Sequence, residues 1–233
     1  MHITIVIPTF NEEQRIQGLV EKVFAACFDP HTWEILVVDD GSTDQTSGII
    51  CQLEPKVRRI THPKNLGKGA ALRTGFQSAT GEAVIVQDAD LEYDPAEYKR
   101  LLQPIFDDAA DVVYGSRFMG GSAHRVLYFY HYLANKTLTL ISNMFTNLNL
   151  SDMETGFKVI RTSCLRKIQL RENRFGIEPE LTAKLAAIHA RFYEIGISYH
   201  GRTYQEGKKI TWKDGVAALW CILKYGVAVR RKK

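Results

Sequence analysis

The stretch that decides the fold is VIVQDADLEYDP, residues 84–95, in which an uninterrupted apolar run leads directly into four acidic residues. A short apolar run bounded by polar residues is typical of a strand that is buried on both faces. Like charges at this density repel one another unless water or a cation lies among them. The stretch therefore predicts a buried strand that ends at a charged site.

The first half of the chain repeats this pattern. Strands are predicted at residues 3–7, 34–38, 57–61 and 83–87, and segments of helical periodicity separate them at residues 12–26, 43–53, 69–79 and 95–106. Apolar strands that alternate with helices imply a mostly parallel, Rossmann-like α/β sheet with helices on both faces. Ligands of such sheets bind beyond the carboxyl ends of the strands, so we expect the polar residues after each strand to meet in one crevice.

The second half is less regular. It predicts strands at residues 111–116 and 192–198, helices at 126–145 and 178–188, a polar loop at 199–209 and a final helix at 212–229. Because no repeat or linker composition interrupts the chain, we expect one domain over residues 1–210, with halves at 1–115 and 116–210. A C-terminal amphipathic helical extension with a basic end is predicted at residues 211–233.

Composition and charge narrow the class of protein. The 233 residues are 45% hydrophobic and 24% charged, as is typical of a globular protein, and the formal net charge of +4 is too small to indicate nucleic-acid binding. The four cysteines are scattered without metal-binding or disulfide spacing, which favours reduced thiols. Since the sequence has no signal pattern and no run of about 18 to 20 apolar residues, we expect a cytoplasmic location.

Asp88-x-Asp90 is a candidate metal site. Mg²⁺ and Mn²⁺ prefer carboxylate oxygens and commonly keep phosphate oxygens and water as further ligands. Two residues separated by one point the same way from an extended backbone, and Glu92 continues this period as a candidate third ligand. Asp94 precedes Pro95 and is expected to cap the next helix. The alternative for an isolated pair of this kind is a solvated turn.

Two further polar clusters follow strands. The carboxylates of Asp39 and Asp40 suit ribose hydroxyls or a base N–H, whereas a plain helix cap would explain only part of their cluster. The NLGKG segment, residues 65–69, lets the backbone approach a flat or phosphorylated ligand. Neither GxGxxG after the first strand nor GxxxxGK[ST] is present, which argues against an NAD site and a P-loop.

Together these segments resemble the family-2 glycosyltransferases with the GT-A fold. The motifs that carry the resemblance are, in order, VIPTFNE at 6–12, DDGS at 39–42, NLGKG at 65–69 and QDADL at 87–91. Two later motifs, GSR at 115–117 and DMETGFK at 152–158, resemble the branch of dolichyl-phosphate mannose synthase and bacterial polyprenyl-phosphate glycosyltransferases. The resemblance covers residues 3–210 and implies a nucleotide-sugar donor, a divalent metal and, in this branch, a lipid-phosphate acceptor.

Carried to this sequence, the resemblance implies a role for each matching residue. Nucleotide binding falls to Pro8, Asn11, Glu12, Asp39, Asp40, Lys68 and Asp88. The metal, Mg²⁺ or Mn²⁺, would be held by Asp88, Asp90 and Glu92, although the branch often has Gln where this chain has Glu92. Catalysis and phosphate binding would rest on Asp90, Arg117, Arg202 and Asp152, with Lys136 and Lys208 as further cations.

The acceptor decides which of these groups takes part in the chemistry. A lipid phosphate is already anionic and needs cations beside it, whereas a hydroxyl acceptor needs a general base. Asp152 or Glu154 would be that base, and the alternative is that Asp152 only fixes a turn. We predict metal-dependent, inverting transfer from a nucleotide-sugar to a polyprenyl phosphate at the cytoplasmic membrane face. Transfer to a hydroxyl compound is the first alternative, and sugar-1-phosphate nucleotidylyl transfer is the second.

Two helices carry apolar residues that favour a membrane surface. The predicted helix at 126–145 has amphipathic aromatic residues near its start, a type enriched at bilayer interfaces, namely Tyr128, Tyr130 and Tyr132 beside Phe129. The final helix has apolar residues at helical spacing and ends in RRKK, residues 230–233, which suits an anionic leaflet. Both patterns also occur in soluble proteins. We expect peripheral membrane association, and the sequence is compatible with a homo-oligomer.

Overall fold

A computed structural model describes residues 1–120, 125–126, 128–201 and 212–230. Within these residues the strands are β1 (His2–Thr9), β2 (Thr32–Asp39), β3 (Arg58–Thr61), β4 (Ala83–Val86), β5 (Val112–Ser116), β6 (Lys158–Arg161) and β7 (Phe192–Gly196). They form one sheet in the order β3-β2-β1-β4-β6-β5-β7. Every pair of neighbours is parallel except the two pairs that involve β6. The predicted, mostly parallel α/β sheet is confirmed.

The helices lie between these strands and after the last of them. They are α1 (Ile16–Ala26), α2 (Thr46–Leu53), α3 (Lys68–Ser78), α4 (Tyr98–Phe106), α5 (Phe129–Thr146), α6 (Thr162–Leu165), α7 (Ile177–Ala187) and α8 (Trp212–Arg230). A 3₁₀ turn at Pro95–Glu97 precedes α4. The Asp94 carboxylate caps this turn by accepting a hydrogen bond from the Ala96 amide at 3.0 Å. Asp94 therefore begins a helical segment, as predicted, and does not belong to the acidic site.

Both faces of the sheet are covered, as the apolar strands predicted. Successive residues of β1 point to opposite faces, so Ile5 and Ile7 pack with α1 and α4, whereas Val6 packs against α3. Gly75 of α3 lies so close to β1 that a Cβ there would meet the Val6 side chain at 2.3 Å. Because these strands are buried on both sides, the polar groups they position lie at the strand ends.

The direction of β6 determines which segment reaches the functional edge of the sheet. Its first residue, Lys158, pairs with the last residue of β4, Val86, and with Tyr114 of β5. Since β6 is antiparallel to both strands, the segment that precedes β6 lies at the edge where its neighbours end. The DMETGFK motif therefore reaches the same edge as the acidic stretch that follows β4.

The C-terminal helix α8 packs onto the body of the protein through one face. Cys221 and Tyr225 form an apolar cluster with α7, and Gly226 lies where a Cβ would meet the Phe145 side chain of α5 at 2.6 Å. No helix in the described ranges is long and apolar enough to cross a bilayer. Most of the predicted basic end, residues 231–233, lies outside the described residues.

Candidate active site

A cavity of about 840 Å³ opens beyond the carboxyl ends of β1, β2, β4 and β5. Its wall consists of the loops after these strands, the turn around residues 154–156 and the sides of α5 and α8. The predicted site residues that line it are Pro8, Glu12, Asp40, Lys68, Asp88, Asp90, Glu92 and Arg117. The crevice expected from the sheet topology is present and brings together motifs that are far apart in the chain.

Other predicted residues lie away from the cavity wall. Asn11 is tied to the turn after β2, where its side-chain oxygen accepts a hydrogen bond from the Thr43 amide at 2.8 Å. Lys136 of α5 donates to the Ser151 carbonyl at 3.1 Å and so links the helix to the segment before β6. The two predicted residues outside the described part of the chain are Arg202 and Lys208.

Asp88 lies in the acidic site with a cation already beside it. The Lys68 ammonium lies 2.9 Å from Oδ1 and 3.0 Å from Oδ2. Although burial opposes its charge, the carboxylates of Asp88 and Glu178 raise the pKa of Lys68 well above its ordinary value. Gly156 approaches so closely that a Cβ there would meet Asp88 Oδ2 at 2.1 Å, so a larger residue at this position of the DMETGFK motif would displace the Asp88 carboxylate. The Asp88 carboxylate is thus fixed by contacts from two other motifs.

Asp90 and Glu92 are placed differently from each other. Asp90 is partly exposed on the cavity wall, where Oδ1 accepts a hydrogen bond from the Glu92 amide at 3.2 Å. The Glu92 carboxylate accepts a hydrogen bond from the Tyr199 hydroxyl at 2.6 Å. In the described part of the chain no group of three or more His, Cys, Asp or Glu side chains could hold a metal ion. Asp88 and Asp90 both line the cavity, and a metal held by these two carboxylates would need substrate oxygens and water as its further ligands.

Arg117 is held at the cavity wall by Asp152. Its Nε lies 2.7 Å from Oδ2 and its Nη2 lies 2.7 Å from Oδ1, which makes a bidentate pair. Asp152 is fully buried, whereas Arg117 keeps 10% of its side chain exposed. Although burial opposes the charge, Asp152 raises the pKa of Arg117, so the guanidinium stays cationic at any physiological pH. Asp152 is placed to position Arg117 rather than to face a substrate as a free base.

Asp40 holds the glycine-containing loop in place. Its Oδ1 accepts a hydrogen bond from the Leu66 amide at 3.0 Å, and its Oδ2 accepts one from the Gly67 amide at 2.7 Å. The Nδ1 atom of His62 lies 2.7 Å from Oδ1 as well. Gly67 has a φ of +101° and lies where a Cβ would meet the Asn173 carbonyl at 2.4 Å, so the loop requires glycine there. The sequence analysis did not identify His62, because its partner Asp40 follows a different strand.

Asp39, the neighbour of Asp40, is buried, but within the residues that the structure describes only one of its two carboxylate oxygens accepts a hydrogen bond. Its Oδ1 accepts a hydrogen bond from the Ser42 amide at 3.0 Å. Its Oδ2 is buried and has no hydrogen-bond partner among the described residues. A buried carboxylate oxygen without a partner is costly, and such groups are normally satisfied by water or a ligand. Asp39 is fully buried and is not part of the cavity wall, so its role toward a ribose hydroxyl or base N–H stays a prediction.

A second charged cluster borders the acidic site. Glu178, in the first turn of α7, places Oε1 3.1 Å from the Lys68 ammonium. Glu154 lines the same wall, and burial followed by the Glu178 carboxylate raises its pKa to about 8. Lys158 is buried as well, and burial lowers its pKa to about 8. The sequence analysis missed Glu178, because an acidic residue in the first turn of a helix is common and its partner Lys68 is distant in the chain.

The sequence of this chain matches one protein family over most of its length. Residues 4–169 match the family described as Glycosyl transferase family 2. The matched region runs from β1 to the segment after β6 and contains the acidic residues, the glycine loop and the DMETGFK turn. The chain belongs to glycosyl transferase family 2.

Several curated relatives of this family 2 member are named for polyprenyl-phosphate substrates. A dodecaprenyl-phosphate galacturonate synthase of Rhizobium johnstonii is 26% identical over 89% of this chain and 62% of its own length. A dolichol-phosphate mannosyltransferase of Pyrococcus furiosus is 28% identical over 90% of this chain and 61% of its own. A polyprenol monophosphomannose synthase of Mycolicibacterium smegmatis is 34% identical over 71% of this chain and 64% of its own. The chain thus spans about three fifths of the length of these relatives.

Solved structures share the fold of this family 2 member at low sequence identity. Glucosyl-3-phosphoglycerate synthase of Mycobacterium tuberculosis, in complex with Mn²⁺, UDP and glucosyl-3-phosphoglycerate, gives a TM-score of 0.74 at 18% identity and covers 96% of this chain and 79% of that one. The same enzyme with Mg²⁺ and UDP gives a TM-score of 0.73 at 18% identity, over the same shares of both chains. This likeness establishes a GT-A-like fold, as predicted.

Proposed function

We propose that this protein transfers a sugar, with inversion, from a nucleotide-sugar to a polyprenyl phosphate on the cytoplasmic face of a membrane, using Mg²⁺ or Mn²⁺. The observation that carries the proposal is a single cavity that joins Asp88 and Asp90 to the sides of α5 and α8, two helices with exposed apolar residues. A water-soluble donor and a lipid acceptor require a site of this kind, with acidic residues at one side and apolar surface at the other.

The donor side of the cavity suits a nucleoside diphosphate-sugar. Asp39 offers a buried acceptor to a ribose hydroxyl or a base N–H, and the 65–69 loop provides backbone that a nucleotide can approach closely. A divalent ion held by Asp88 and Asp90 would stabilise the negative charge that grows on the departing diphosphate. Solved structures of the same fold contain Mn²⁺ or Mg²⁺ together with UDP, which supports this assignment.

Arg117 is well placed among the described cations to hold an acceptor phosphate. Its guanidinium is fixed by Asp152 at the cavity wall and lies 5.4 Å from the centre of the Tyr199 ring. The phosphate oxygen forms a bond to the anomeric carbon while the bond from that carbon to the diphosphate breaks, so the nucleoside diphosphate leaves and no proton has to be removed. Arg117 engages Asp152, so of the two bases that a hydroxyl acceptor would call on, Asp152 is occupied and Glu154 is the one left at the cavity wall.

Two apolar stripes lie on α5 and α8, the helices that also contribute residues to the cavity wall. The stripe on α5 consists of side chains that lie at helical spacing and are 49–67% exposed, namely Phe129, Leu133, Leu140 and Met144. The stripe on α8 consists of side chains that are 36–66% exposed, namely Val216, Leu219, Trp220, Leu223 and Val227. Exposed apolar area of this kind suits the interface of a bilayer. Other residues of the same two helices line the cavity, so helices that contact a bilayer would also border the site where Arg117 lies.

The proposal is tested by transfer of radiolabelled sugar to polyprenyl phosphate in lipid vesicles, with polyprenol, which lacks the phosphate, as the matched control. UDP-sugars and GDP-sugars are supplied with and without Mn²⁺. We expect an organic-extractable, mild-acid-labile product only when the phosphate, the metal and a suitable donor are all present. Equal transfer to polyprenol, or transfer only to a water-soluble hydroxyl compound, would contradict the lipid-phosphate assignment. If neither UDP nor GDP stabilised the protein thermally in a Mn²⁺-dependent way, the donor site itself would be wrong.

A further inference from the structure

The cavity wall next to Asp88 contains two carboxylate oxygens that the protein leaves without partners. Oε1 of Glu154 and Oε2 of Glu178 are buried and have no hydrogen-bond partner in the part of the chain that the structure describes. Both residues line the cavity, and Glu178 is only 6% exposed. The other Glu178 oxygen, Oε1, is paired with Lys68. Buried acceptors of this kind are costly in the free protein and indicate donors that arrive with a ligand.

Two contacts fix the position of this wall relative to the acidic site. The Lys68 ammonium lies 3.1 Å from Glu178 and 2.9 Å from Asp88, so the two carboxylates share one cation. Glu154 lies two residues before Gly156, which is in close contact with Asp88. The unpartnered oxygens are therefore adjacent to the residues assigned to the diphosphate. In a nucleotide-sugar the transferred sugar is attached directly to that diphosphate.

We infer that Glu154 and Glu178 form the hydroxyl-recognising wall of the sugar subsite and determine which sugar is transferred. The inference rests on the proposed function, because a nucleotide-sugar donor is what places a sugar at this wall. Sugar hydroxyls are hydrogen-bond donors and satisfy the unpartnered oxygens. The wall selects a neutral hexose over a uronic acid, because a uronate brings an anion to a wall that already contains the carboxylates of Asp88 and Glu178.

Glu180, two residues further along α7, shows how a structural carboxylate behaves in this region. It is fully buried and accepts hydrogen bonds from the Arg171 amide at 2.9 Å and the Glu172 amide at 2.7 Å. It also pairs with Lys184. Its oxygens are occupied within the protein and it is not part of the cavity wall. Glu178 and Glu180 therefore share a helix, but Glu178 retains an oxygen for a ligand.

The test compares Glu154→Gln and Glu178→Gln with Glu180→Gln as the matched control. Each variant is assayed with UDP- and GDP-linked glucose, mannose, galactose, N-acetylglucosamine and glucuronic acid, and calorimetry measures the affinity for each nucleoside diphosphate with Mn²⁺. We expect the wild type to prefer a neutral hexose. The two cavity variants should lose about 10- to 100-fold in kcat/KM for that sugar, as expected when a buried sugar hydroxyl loses its hydrogen-bond partner. They should also discriminate less among epimers and keep the diphosphate affinity of the wild type.

Four outcomes would contradict the inference, the predicted sugar selectivity or the proposed function, and they can be told apart. An unaltered donor profile in both cavity variants of an active enzyme overturns the inference and leaves the proposed function standing. An equal change of profile in Glu180→Gln overturns the inference too, because it reveals a folding effect. A wild type that prefers the uronate overturns the predicted selectivity. Failure of the wild type to transfer any sugar from any of these donors overturns the proposed function and the inference with it.

Discussion

Asp39 and Asp40 are adjacent in sequence and both buried, yet their carboxylates are used in opposite ways. Asp40 accepts hydrogen bonds from the Leu66 and Gly67 amides and contacts His62, so both of its oxygens have partners. Asp39 leaves Oδ2 without a partner within the described ranges. A buried carboxylate whose hydrogen bonds are complete stabilises the fold, and one whose hydrogen bonds are incomplete marks a place for a ligand. The difference separates residues that build the site from residues that bind at it.

The other acidic residues around the cavity can also be divided by whether all of their carboxylate oxygens have partners. Asp152 belongs with Asp40, because it is fully buried and both of its oxygens are bonded to Arg117. Glu178 belongs with Asp39, because one of its oxygens lacks a partner in the residues described. The variants below test this division, beginning with the largest expected effect.

Asp152→Asn should have the largest effect, because it leaves the nearly buried Arg117 guanidinium without its counter-ion. Breaking one side of a buried ion pair costs about 3–5 kcal/mol in the free energy of unfolding, which urea denaturation measures. The double variant Arg117→Met, Asp152→Asn should recover part of that stability while remaining inactive, since the cation is gone. If Asp152→Asn is as stable as the wild type, Asp152 does not belong with the structural carboxylates.

Asp90→Ala should lower kcat about 100- to 1000-fold, the loss typical when one group that stabilises transition-state charge is removed. The free energy of unfolding should stay close to that of the wild type, because Asp90 is partly exposed at the cavity. Asp94→Ala is the matched control from the same acidic stretch. It removes a helix cap and should cost about 0.5–2 kcal/mol of stability without changing kcat. A fully active Asp90→Ala enzyme would refute the metal-binding role of Asp90.

Asp39→Asn and Asp40→Asn test the opening comparison directly. Asp40→Asn should reduce the free energy of unfolding by about 1–3 kcal/mol, because charge-assisted hydrogen bonds to two amides are weakened. Asp39→Asn should leave that free energy nearly unchanged and should weaken nucleoside diphosphate binding about tenfold. Chemical denaturation and calorimetry measure the two effects. A reversal, in which Asp39→Asn unfolds easily and Asp40→Asn binds nucleotide poorly, would contradict the division.

Glu34 gives the smallest expected effect and lies far from the cavity. Burial alone would raise its pKa, but hydrogen bonds from Thr4, Thr80 and Arg58 outweigh burial and lower the pKa to about 2 from the ordinary 4.5. Because the folded-state pKa is depressed, the stabilisation is present above pH 4.5 and is lost as the pH falls toward 2. Glu34→Gln should therefore lower the Tm at pH 7 and differ less from the wild type at pH 3. A constant difference across this range would show that the charge of Glu34 does not contribute.

The strands, the crevice and the acidic stretch were predictable because they depend on local patterns. A buried strand of a parallel sheet is a continuous apolar run, and the residues that follow β4 and β2 in sequence also follow them in space. The role of Asp94 as a cap was predictable for the same reason, since its partner is only two residues away.

Features that depend on contacts between distant segments could not be predicted in this way. The pairing of Lys68 with Glu178 joins α3 to α7, and the local sequence of neither helix indicates that the other is its partner. The burial of Asp152 under Arg117 depends on the antiparallel direction of β6, which alternation of apolar residues does not reveal. The hydrogen bond from Tyr199 to Glu92 also joins segments that are far apart in the chain.

The reversed direction of β6 affects how the segment between β5 and β6 can change among related proteins. The chain leaves the sheet after Ser116 and returns just before Lys158 at the same edge, so the intervening excursion, which includes α5, begins and ends at one place. The ends are joined by the Ser116–Ser151 hydroxyl contact of 2.6 Å and by the Arg117–Asp152 pair. An excursion closed at its base in this way is an exchangeable module. We expect that grafting it from a relative would alter the cavity wall on this side, including Glu154 and Gly156, while the strands keep their register.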